Sequence, residues 1–196
     1  MLTTPLANDT AVSISSEPGA RRAVIEHASV REVLMGAQDN LTNVLAVMLG
    51  VSIGSGRADL VALAGLSAAV AEAVSMGGVL YSSTRAVGAL EARTRAEEGE
   101  EPARQGANLA PIQSGAVTFV AALLGGLVPL APFAVLPLPA AVPASLAISI
   151  GALFVLGSAI GRVSGSVWWR DGLRLLLVAG LAAMAAAIVG ANFAVA

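Results

Sequence analysis

Asp39 to Leu80 reads DNLTNVLAVMLGVSIGSGRADLVALAGLSAAVAEAVSMGGVL, two apolar runs joined by the polar stretch Ser55-Gly56-Arg57-Ala58-Asp59 and interrupted chiefly by Glu72. With its flanking residues each run reaches about 20 positions, the length a helix rising about 1.5 Å per residue needs to cross a ~30 Å hydrocarbon core. The stretch therefore predicts a hydrophobic helical hairpin. Counted from Ala58, Asp39 lies about 19 residues back and Met76 about 18 forward, so an antiparallel pair brings them to one depth. Glu72 precedes Met76 by one helical turn, which puts both on one face of the second helix. Thr42 and Asn43 extend a polar strip along the first.

The rest of the chain agrees with a membrane protein. It is 56% hydrophobic and 12% charged over 196 residues, with a mean hydropathy of +0.80, well outside the range of soluble domains. Cysteine is absent, which excludes disulfides, thiolate metal sites and cysteine nucleophiles. Every Lys-or-Arg position is arginine and the net charge is -2; no basic surface for nucleic acid exists, and nucleic-acid binding is set aside.

Outward from the hairpin, residues 1–18 are rich in Ser, Thr, Pro, Asp and Glu and read as a disordered tail without the basic n-region of a signal peptide. Residues 19–36 mix charge with apolar residues at helical spacing, as an amphipathic helix on the membrane surface does. Spans are expected near 37–56, 60–83, 113–135, 143–161 and 172–193, with the paired Gly125-Gly126 and the prolines Pro129 and Pro132 breaking or kinking the third. The fold class is all-α: a five-transmembrane-helix bundle with an N-terminal amphipathic helix, residues 19–196 forming one membrane domain with a cytoplasmic loop at 85–111. Arg57 alone lies on the far side of these spans, so the positive-inside rule predicts a cytoplasmic N-terminus and an external C-terminus. Trp168-Trp169-Arg170 reads as an interfacial anchor, and the single histidine, His27, as a surface-helix residue.

GAQDNLTNVLAVMLGV, then LAGLSAAVAEAVSMGG, then GLVPLAPF, resemble the vacuolar iron transporter family over about residues 31–135. That resemblance implies a five-span homodimer moving Fe²⁺, often Mn²⁺, out of the cytosol in exchange for protons, with Asp39 and Met76 lining the path. It also implies a vacuolar membrane in a eukaryote and the plasma membrane in a prokaryote. Three departures stand out. Asn40 follows the aspartate where the family usually has Gly, Leu80 stands where many members have Glu, and residues 85–111 are too few for the family's three-helix, Glu-rich cytoplasmic domain.

The residue chemistry leads the same way. Fe²⁺ and Mn²⁺ accept carboxylate and carbonyl oxygens, while a thioether favours Fe²⁺ over hard Mg²⁺ or Ca²⁺. Asp39, Glu72 and Met76, completed by Asn43 or freed carbonyls, form the expected metal site. Metal arrival lowers the pKa of a carboxyl that burial has raised, which links metal entry to proton release. The metal is cargo, no resident cofactor is expected, and the chain reads as a transporter rather than an enzyme. Two other readings use the same residues: a membrane scaffold binding partners through its Arg- and Glu-rich loop, and a channel or exchanger for another cation. Glu97, Glu98, Glu100 and Glu101 read as solvated charge.

Overall fold

The computed structural model describes residues 18–97, 99 and 110–194, with side chains from Val30 onward. Five helices account for nearly all of them: α1 (Pro18–Ser55), α2 (Ala58–Glu97), α3 (Ala110–Leu130), α4 (Leu138–Val163) and α5 (Trp168–Asn192). The expected tail at 1–18 lies almost wholly outside the described residues.

The amphipathic segment and the first span form one helix of 38 residues, not two. Nothing between Arg21 and Gly36 breaks a helix, and a lone glycine is tolerated where packing supports it. The expected loop is corrected in the same sense, because residues 85–97 continue α2, which is 40 residues long. That makes α2 about 60 Å from end to end, twice the hydrocarbon thickness. Arg85 to Glu97 (RAVGALEARTRAE) is built of good helix formers, with Glu91 and Arg95 at the favourable i,i+4 spacing. Gly99, with φ of 73°, takes the left-handed conformation just past the helix.

Among the described residues four helices, α2, α3 with its extension, α4 and α5, are long and apolar enough to span a membrane. Helix α1 is more polar because Gln38, Asp39, Asn40, Thr42 and Asn43 fall inside it. It is nevertheless the centre of the bundle, packed against all four others, with α2 and α3 on one side and α4 and α5 on the other. Two apolar clusters surround it: Leu41 with Leu153, Leu175 and Ala179, and Val44 and Met48 with Val61 and Ala69. Large apolar side chains such as Leu63, Leu66, Leu124, Leu177 and Leu181 point outward instead, where lipid tails solvate them. Small residues mediate the contacts inside, as in membrane bundles generally.

The hairpin turn is built from Gly56, with φ of 62°, and Arg57, which pairs with Asp59 at 2.5 Å. Asp59 lies in the first turn of α2, where the helix dipole favours an acid. The Arg57 guanidinium also holds its carboxyl below the usual range.

Gly125-Gly126 does not break α3. A Cβ on Gly125 would overlap the carbonyl oxygen of Ala37, and one on Gly126 would stand 2.9 Å from the amide of Asn40. The pair lets α3 close onto α1 instead. The helix ends four residues after the pair, at Leu130, and passes into a 3-10 turn, Ala131–Ala134. There the freed carbonyl of Pro129 accepts a hydrogen bond from Ser145 Oγ at 2.7 Å.

Candidate functional site

The polar run Gln38-Asp39-Asn40-Leu41-Thr42-Asn43 winds around α1, so its members face different ways. Thr42 is buried and donates to the carbonyl of Gln38 at 2.9 Å. Asn40 points into the bundle and is fully buried. Its Nδ2 donates to the carbonyls of Ala69 on α2, at 2.9 Å, and Ala122 on α3, at 2.8 Å. One side chain thus braces three helices. Asp39 and Asn43, one turn apart, are exposed on an adjacent flank of α1, about 60–100° around the helix from Asn40.

Glu72 and Met76 are half-buried on α2. The bond from Asn40 to Ala69 sets the register between the two helices. Glu72 is three residues past Ala69 and Asp39 one residue before Asn40, so the two acids sit within about one 5.4 Å turn of each other along the axis. Met76 reaches across to α1 at Gly36, where its Cε lies 3.4 Å from the position a Cβ would occupy and Thr118 Cγ2 lies 3.1 Å from it. Gly36 precedes Asp39 by three residues, about 4.5 Å of axial rise. The methionine is therefore seated nearly one turn to the N-terminal side of Asp39 along α1, not at the single depth that counting from the turn predicts. Leu80, one turn beyond Met76, is buried, so the polar face of α2 ends at the methionine.

Among the described residues, no three His, Cys, Asp or Glu side chains converge into a metal cluster. What the single chain offers is two pairs of donors on neighbouring helices: exposed Asp39 and Asn43 on α1, and half-buried Glu72 and Met76 on α2. Their chemistry is two carboxylates, an amide and a thioether, hard and soft donors together.

Two residues escape a reading of the sequence. Asn40 enters it only as a departure from a glycine, yet its amide joins α1, α2 and α3, and its Oδ1 is buried without a hydrogen-bond partner. Thr118 lies beside Met76 over Gly36, and its buried hydroxyl likewise lacks a partner. An asparagine inside an apolar helix is a detectable signal; a threonine in α3 among Ala and Val is not.

The model of the VIT family matches residues 30–107 and 87–191. The chain is similar to Vacuolar iron transporter 1 of Arabidopsis thaliana, 25% identical over 236 residues covering 91% of this chain and 94% of that protein. It is also similar to Vacuolar iron transporter 1 of Eucalyptus grandis, 26% identical over 207 residues covering 80% and 83%. The two family segments together run from Val30 in α1, through Asp39 and Met76, to the last turn of α5, and on that match the chain belongs to the VIT family.

Proposed function

We propose that this chain is a transporter of divalent metal, carrying Fe²⁺, with Mn²⁺ as a second cargo, out of the cytosol in exchange for protons. The reading rests on two exposed polar side chains of α1, Asp39 and Asn43, in a register that the bond from Asn40 to Ala69 sets near the depth of the half-buried Glu72 on α2. A carboxylate facing hydrocarbon is costly, and intramembrane acids belong in polar paths. A second copy related by a two-fold axis would set two such polar flanks face to face and enclose that path, which supports a homodimer. The names of both plant relatives point to iron. Asp39 and Glu72 would supply oxygen ligands and the protons exchanged for metal, Met76 a sulfur that favours Fe²⁺, and Asn43 a neutral oxygen.

The protein would be a multi-pass protein of the inner membrane in a bacterial cell or of the vacuolar membrane in a eukaryotic one, with α1 entering from the cytoplasm. The short form of the family is supported by the alignment with the Arabidopsis protein, which runs over 236 positions against the 196 residues of this chain. The exposed projection of α2 from Arg85 to Glu97 is the one feature that favours a scaffold binding partners in the cytoplasm.

Fe²⁺ uptake into proteoliposomes separates the two. Asp39→Ala and Met76→Leu should each lower uptake while leaving insertion and helix content intact, and Met76→Leu should affect Fe²⁺ more than Mn²⁺. Normal uptake by both variants would overturn the site, and no metal flux from the unaltered protein would favour the scaffold.

A further inference from the structure

The two tryptophans of the chain stand side by side at the start of α5, and each carries an arginine. The guanidinium of Arg162 lies 5.2 Å from the ring centre of Trp168, and that of Arg170 lies 5.4 Å from Trp169. Trp169, Leu173 and Leu177 form one i,i+4 row on the outer face of α5. Arg170 and Arg174 form the adjacent row, and the five residues line a shallow open groove. The nearby acid offsets this charge only in part. Asp171 is turned toward α4, where its Oδ2 lies against Gly161 and accepts a hydrogen bond from Ser166 Oγ. Its Oδ1 takes one contact from Arg174 Nη1 at 3.2 Å, leaving the Arg174 side chain 76% exposed.

We propose that this groove holds an anionic phospholipid of the leaflet from which α2 projects, its phosphate between Arg170 and Arg174 and an acyl chain along Leu173 and Leu177. The occupant follows from the two chemistries of one groove. Two guanidiniums at i,i+4 suit a phosphate, and the leucine row beneath them continues outward at Leu181, a surface that a free anion would leave uncovered. Trp169 occupies the headgroup boundary, where indole rings concentrate, and basic side chains at that level attract anionic lipid.

Because Trp169 lines the groove and Trp168 is its neighbour in the chain, tryptophan fluorescence reads the site. The full chain is placed in phosphatidylcholine nanodiscs doped with either brominated phosphatidylglycerol or brominated phosphatidylcholine. Quenching by the anionic lipid should be about fivefold to tenfold more effective per mole, since each arginine near the surface is worth roughly a fivefold enrichment and Asp171 offsets part of it. The double variant Arg170→Gln with Arg174→Gln should lose that preference while quenching by brominated phosphatidylcholine stays the same, which also reports that α5 remains inserted. Equal quenching by the two lipids in the unaltered protein, an undiminished preference in the double variant, or abolition of the preference by millimolar inorganic phosphate at constant ionic strength would each overturn the lipid assignment.

Discussion

Replacing Asn40 tests the brace that sets the register between α1 and α2, and with it the relative depth of the proposed metal ligands. Asn40→Ala deletes two buried hydrogen bonds, to Ala69 and Ala122, each worth about 0.5–1.5 kcal/mol net and averaging about 0.6 inside membrane bundles. Both acceptors are carbonyls within helices and keep their in-helix partners, so no donor is stranded, and the unpartnered Oδ1 disappears with the side chain. The net loss should be about 1–2 kcal/mol. Gly126→Ala attacks the same contact from α3, since its new Cβ would stand 2.9 Å from the amide, and overpacking of this kind costs about 1–3 kcal/mol. Together the two changes should cost less than their sum by at least about 1 kcal/mol, because the alanine methyl enters the space the amide leaves. Reversible unfolding in mixed micelles, followed by circular dichroism and tryptophan fluorescence, measures all three variants. Additivity within about 0.5 kcal/mol would refute the three-helix brace.

Two further predictions concern coupling and assembly. Glu72→Gln keeps the shape but cannot titrate near neutral pH, so acceleration of Fe²⁺ uptake by an acidic lumen, and the accompanying rise in lumenal pH, should both weaken; full retention of both by the variant would remove Glu72 from the proton path. Two glycines of α5 should respond oppositely to alanine. Gly190→Ala would drive a Cβ into the carbonyl of Gly50 and lower the monodisperse yield, while Gly180, with nothing near its Cβ position, should be neutral or gain up to about 1 kcal/mol of helix propensity.

The helical hairpin was legible because two runs of membrane length and a five-residue polar turn leave few other solutions. Its ends were not. Charge density from Arg85 to Glu97 looks the same on a solvated loop and on a solvated helix, and only the preference of Ala, Arg and Glu for helix separates them. Gly125-Gly126 looked like a break because glycine weakens helices in water, whereas in a membrane it serves close approach. The candidate ligands Asp39, Asn43, Glu72 and Met76 are named from residue type and spacing, but which way each polar residue of α1 faces could not be read there. Asp39 and Asn40 are neighbours in sequence, and only the positions of Ala69, Ala122 and Gly126 decide that the amide goes in and the carboxylate out. The seat of Met76 over Gly36 was equally hidden, since it depends on a register set by that amide.

The central position of α1 also fixes an order of events in time. Its partners emerge late: the carbonyl that Asn40 bonds in α3 lies 82 residues downstream, and Gly50 meets Ala186 only after roughly 140 more residues are made, a wait of about 7–30 s at ordinary rates of synthesis. Until then the helix synthesised first has a face open to lipid, with Gly50 and Gly54 lacking the neighbours they are shaped for. The bundle is closed by its last element, so a chain that stops before α5 can insert four helices correctly and still leave its central helix half enclosed.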